Sequence, residues 1–128
     1  MTSDKPSQCL IEQRIRNRIL EYFDLVSSYE NDPPFDMNEL INFWEDWVSQ
    51  PFENNEFAEP VYSKQELLVL KEFNDKWRTL CDFAPKTITD KEHVLASDSW
   101  KDFVRHAKHS LETFSTRGIL PEDQGIGK

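Results

Sequence analysis

The chain has 128 residues, 38% of them apolar and 30% charged, with nine Phe, four Trp and three Tyr. This composition supplies core material for one folded domain and excludes a disordered chain. A formal charge of −9 argues against nucleic acid and anionic membrane as partners, because both are held through Lys and Arg that neutralise phosphate.

Only three glycines occur, two of them within the last four residues. That leaves little material for hairpin turns or phosphate-cradling loops, so helices joined by Pro-marked connections are expected. The first run covers about 8–29, where Ile11, Ile15, Ile19, Tyr22, Phe23 and Val26 recur at three- and four-residue steps. Pro33 and Pro34 end it. A second start stands at Asp36, with Glu39 three positions on as a capping box. Leu40, Ile41, Phe43, Trp44, Trp47 and Val48 then give a wide apolar face before Pro51.

From 52 to 62 neither the helical nor the strand period persists, yet Phe52, Phe57, Val61 and Tyr62 are more apolar than a solvated loop needs. This connection is expected to pack over the core. Ser63 and Glu66 repeat the capping-box spacing, and Leu67, Leu70, Phe73, Trp77 and Leu80 follow at helical steps as far as Pro85. This run reads as the central helix. Thr89 and Glu92 have the same capping spacing and mark a short helical turn over 89–96.

A last long helix begins near 97–99, with Trp100, Phe103, Val104, Ala107, Leu111 and Phe114 on its inner face. Arg117-Gly118-Ile119 reads as its end, with glycine in the left-handed cap position. Residues 121–128 read as a flexible tail. The expected fold is therefore all-α: a single-domain bundle of about four main helices over 1–120, with an irregular aromatic-rich connection at 52–62.

Cys9 and Cys81 form no CxxC pair or ligand cluster and read as buried thiols. Residues 1–6 lack the apolar run of a signal segment, and no stretch approaches the roughly 18–20 apolar residues that a membrane span needs. A cytoplasmic location is expected by elimination.

Charge is distributed unevenly. Between Arg18 and Lys64 there is no Lys or Arg, while Glu21, Asp24, Glu30, Asp32, Asp36, Glu39, Glu45, Asp46, Glu53, Glu56 and Glu59 contribute eleven carboxylates. The rest of the chain carries 15 basic and 13 acidic residues. Basic residues gather on the first helix (Arg14, Arg16, Arg18) and the last (Lys101, Arg105, Lys108), which gives a mildly basic pole. Head-to-tail association through the two poles is one alternative.

No GxSxG elbow, calcium loop or nucleophile–base signature is present. His106 and His109, with His93 nearby in sequence, stand beside the cations Arg105 and Lys108, which oppose metal binding. No catalytic residue, metal or cofactor is expected.

The features together point to a small acidic protein-binding module of the inhibitor or immunity type, which blocks a basic protein partner such as a nuclease toxin. Asp32, Asp36, Glu45, Asp46, Glu53, Glu56 and Glu59 would steer and pair with the partner's cations. Phe52, Phe57 and Tyr62 would supply buried anchors. The bland alternative makes the acidic run a solvated face and its aromatics core. Rival classes are a small helical enzyme or ligand-binding protein with an interhelical pocket, and a homodimeric regulatory subunit.

Overall fold

The computed structural model describes residues 8–30, 36–55, 57–84 and 88–124. Within them the apolar spacing becomes five α-helices: α1 (Gln8–Ser28), α2 (Met37–Trp47), α3 (Lys64–Phe83), α4 (Lys91–Leu95) and α5 (Asp98–Ser115). Four are long, no strand occurs among the described residues, and the expected all-α bundle is the fold observed. No described helix is long and apolar enough to cross a membrane. The expected breakers Pro33, Pro34 and Pro85 lie outside the described residues.

The middle of the bundle is α5, and not α3 as its clear spacing implied, because α5 packs along both α3 and α1. Its buried face alternates the large rings of Trp100, Phe103 and Phe114 with the small Ala107 and Ser110. Small side chains at the contact let two neighbouring helices approach closely. The core is aromatic and centred on Phe73. That ring stacks on Phe103 at 4.8 Å and meets Phe23 and Trp44 edge-on at 4.9 and 4.8 Å. Offset and edge-to-face pairs of this kind contribute about 0.5–1.5 kcal/mol each beyond area burial.

Polar tips of the buried rings fix α2 in place. The Tyr22 hydroxyl donates to the Leu40 carbonyl at 2.7 Å, and the Trp77 indole donates to the Ile41 carbonyl at 2.8 Å. The Trp44 indole donates to Asn74 Oδ1 at 2.8 Å. The connection after α2 does pack over the core: a 3-10 turn at Phe52–Asn54 leads into Val61 and Tyr62, both buried.

Helix starts depart from expectation at two points. Asp36 precedes α2 but its side chain caps nothing; it accepts from the Asn38 amide at 3.1 Å instead. For α4 the cap is Asp90 rather than Thr89, with Oδ1 accepting from the His93 N–H at 3.2 Å. Both cases follow from Asp and Asn competing for nearby polar groups. The Ser63–Glu66 capping box forms in full, and Ser97 caps α5 through the Trp100 N–H.

The capping glutamate does more than cap. Glu66, 1% exposed, receives a bidentate pair from the fully buried Arg16 of α1, at 3.1 Å to Oε1 and 2.8 Å to Oε2. Arg117, just past α5, binds the same two oxygens at 2.6 and 3.1 Å. Other donors of both guanidiniums are also used. Arg16 reaches the carbonyls of Phe114 and Gly118, at 3.1 and 2.7 Å, and Arg117 reaches those of Pro60 and Val61, at 3.0 and 2.5 Å. One carboxylate thus ties α1, α3, the end of α5 and the 57–62 connection together. Gly118 makes the geometry accessible: its φ of +71° turns the chain after α5, and its N–H closes on the Phe114 carbonyl at 3.0 Å.

Beyond Gly118 the expected tail is, as far as Gln124, held against α1. Asn17 exchanges two 2.8 Å hydrogen bonds with the Leu120 backbone. Gln13 donates to the carbonyls of Pro121 and Gln124 at 2.7 and 2.9 Å, and Arg14 to that of Glu122 at 2.7 Å. Polar residues of α1 that composition alone assigns to solvent are buried here because they hold this segment.

Two predictions follow from the buried triad. Replacing Glu66 with Gln leaves two guanidiniums without a counter-charge, one of them fully buried, and should cost about 3–5 kcal/mol in urea unfolding. A loss below about 1 kcal/mol would show that the triad is not a main support. Burial opposes the Glu66 charge, but hydrogen bonds from Arg16, then Arg117, and from the Ser63 backbone outweigh it and hold the carboxyl below its usual range. Its stabilisation is therefore present above the unfolded value of about 4.3 and lost as pH falls through the lower folded value. Urea midpoints taken from pH 7 to pH 3 should show an acid loss that Glu66→Gln lacks.

Candidate functional site

The described residues expected to form one acidic patch separate into four places. Asp32 and Glu56 lie outside the described residues, and Asp36 is exposed at the start of α2. Glu45 and Asp46, neighbours in sequence, diverge because successive helix residues point about 100° apart. Asp46 turns toward α1, where it lines a groove. Glu45 turns toward α3, close enough to Cys81 to raise the thiol's pKa. Glu53 and Glu59 are exposed on the fourth, the connection between α2 and α3.

The three expected anchors sit on that connection as a ladder of rings. Phe52 meets Phe57 at 5.8 Å, Phe57 meets Tyr62 at 4.9 Å, and Tyr62 reaches Phe114 at 6.3 Å. Tyr62 is completely buried and therefore belongs to the core, not to an interface. Burial also pushes its hydroxyl pKa up, and that hydroxyl has no hydrogen-bond partner among the described residues. Phe52 and Phe57 are half-buried, and the ammonium of Lys71 lies 5.7 Å from the Phe52 ring centre. These rings attach the connection to the bundle.

The side of α2 facing α1 carries the feature that the sequence reading missed. Arg18, Glu21, Tyr22 and Leu25 of α1 and Phe43, Asp46 and Trp47 of α2 line a groove of about 190 Å³ between the two helices. Trp44 is fully buried, whereas Trp47 is 37% exposed. Glu39 lies one helical turn before Phe43 and so shares that side of α2. The signal was present in the 3.6 period: four apolar residues suffice to bury α2, and Phe43 and Trp47 fall outside that stripe.

Opposite, between the end of α2 and α3, Gln50, Pro51, Trp77, Arg78, Cys81 and Asp82 line an open groove. Cys9 and Cys81 are half-buried rather than fully buried thiols. Burial, then the charges of Glu45 and Asp82, push the Cys81 thiol up to about 11. A thiol so disfavoured as thiolate is a poor nucleophile at neutral pH. The described carboxylates of the 19–63 run are all exposed.

The mildly basic pole is smaller than the sequence implies. Arg16 is buried in the triad, Arg14 is engaged with the Glu122 backbone, and Arg18 pairs with the Glu122 carboxylate at 2.5 Å and Glu21 at 3.4 Å. Lys101 and Lys108 remain along α5 beside Glu30 and Trp100, while Arg105 in the same groove pairs with Asp102. Among the described residues no three His, Cys, Asp or Glu side chains come together as a metal site. Comparison with protein-family models, curated proteins and solved structures returned no match.

The Cys81 environment is directly testable. In a Cys9→Ser background at pH 7.5, alkylation of Cys81 by iodoacetamide should run on the order of a hundredfold slower than that of a free thiol. Glu45→Gln removes one of the charges that raise the pKa, so the reaction should quicken. A native rate equal to that of a free thiol would contradict the described burial.

Proposed function

We propose that the chain is a small acidic protein-binding module of the inhibitor or immunity type, which covers a basic surface on a protein partner. One observation carries the reading. The described carboxylates of the 19–63 run (Glu21, Asp24, Glu30, Asp36, Glu39, Glu45, Asp46, Glu53 and Glu59) are all exposed, and among the described residues only Glu21 has an ion-pair partner. A surface of one sign, unneutralised from within, focuses its field outward and speeds encounter with an oppositely charged protein. A nuclease-type toxin suits this description, because a site built to hold phosphate is itself cationic.

The test is retention of a partner from the native lysate on immobilised protein at low and at high salt, with two charge-reversed variants. Glu39→Lys/Asp46→Lys alters the side facing α1, and Glu53→Lys/Glu59→Lys alters the connection. A basic protein held by the native chain, released by salt and weakened at least about tenfold by one of the variants is the expected result. Retention that is indifferent to salt and to both variants would sink the reading.

A further inference from the structure

We propose that the α1–α2 groove is the seat at which this acidic surface receives its partner, and that the seat is filled by an arginine side chain from the partner. The inference rests on the acidic-module reading and narrows it to one place and one residue type.

The groove combines the two surfaces that an arginine needs. Leu25, Phe43 and Trp47 line it with apolar and aromatic surface, and Asp46 and Glu21 line it with carboxylates. An arginine buries its methylene stem on apolar surface while its planar guanidinium stacks on an indole and forks to a carboxylate. A lysine offers a single point charge and cannot do both. The groove's own cation does not fill this role, because Arg18 is drawn off by Glu122 and Glu21. Asp46 has no ion pair among the described residues. At about 190 Å³ the groove is smaller than the roughly 300–1,000 Å³ typical of small-molecule sites, which favours a single side chain.

Trp47 stands out among the aromatic residues. The indole N–H groups of Trp44, Trp77 and Trp100 donate to Asn74 Oδ1, the Ile41 carbonyl and Glu30 Oε1. That of Trp47 has no acceptor among the described residues, and its ring has no aromatic partner there. The other exposed or half-exposed rings are already engaged: Phe52 lies under Lys71, Phe57 lies against Tyr62, and Phe83 stacks on His93. Exposed tryptophan beside unpaired carboxylate is the composition of an interface hot spot.

The experiment is a ¹H–¹⁵N NMR titration at low salt, in which the four indole N–H signals report separately and Trp47 is assigned by its loss in Trp47→Phe. The probes are an acetylated tetra-arginine amide and its tetra-citrulline counterpart, which keeps the shape and removes the charge. The Trp47 signal should move saturably with the arginine peptide and require about tenfold more of the citrulline peptide. In Asp46→Asn the movement should weaken by a similar factor, with the other three indole signals in place as evidence that the fold is intact. A silent Trp47, or one that responds equally to both peptides, overturns the proposal. If the arginine peptide instead moves only the amides of 52–59, the groove is wrong and the acidic-module reading stands. If it moves nothing, both fall.

Discussion

The carboxylate of Glu66 is the constraint on which the rest of this structure depends. It closes the N-terminus of α3 and pairs with both Arg16 from α1 and Arg117 from beyond α5. Through those two guanidiniums it also satisfies the carbonyls that end α5 and those of the connection at 60–61. A buried ion pair is not in itself a source of large net stability, because desolvation offsets much of the attraction. Its effect is on specificity: hydrophobic packing tolerates small rotations and slides of helices, whereas four segments sharing one carboxylate have one arrangement. The Arg16 guanidinium also lies 4.9 Å from the centre of the Phe114 ring, so the polar centre is continuous with the aromatic core.

A second device recurs where the chain leaves its helices. Asn17 pairs with the Leu120 backbone, Asn38 with that of Ile88 and Asn55 with that of Ser49, each through both the amide donor and the amide acceptor. A side-chain amide used in this way imitates a neighbouring peptide unit and satisfies an N–H and a C=O together. With a single glycine before residue 125, the chain has few tight turns to close its loops internally. Side-chain amides from helices and loops perform that task.

The helices were legible because burial requires periodicity, and periodicity is a local property of the sequence. Phe73 and Trp77, or Phe103 and Phe114, can be assigned to a core without knowing what they touch. The Ser63–Glu66 box was legible for the same reason, since both partners lie within one turn. What escaped were interactions between residues far apart in sequence. Arg16 looked like part of a basic patch until Glu66, fifty positions on, supplied its counter-charge, and residues 121–124 looked like a tail until Gln13 and Asn17 bound them. The split between Glu45 and Asp46 had a local cause, the 100° helical step. Composition counts the two as one patch, but the helix sends one toward Cys81 and the other toward α1.

These interactions also explain why the acidic surface stays acidic. The three arginines of α1 are the cations just before the 19–63 run. One is consumed by Glu66, and the other two are held at Glu122, a residue of the C-terminal segment. Arg18 also pairs with Glu21, but among the described residues none of the three pairs with a carboxylate of α2 or of the connection. Instead they secure the chain's own C-terminal segment, and the carboxylates of α2 and the connection face solvent without local compensation. Mutual repulsion among like charges destabilises the compact state. The triad, the asparagine pairs and the aromatic core let the fold carry that repulsion, and a cationic partner would relieve it.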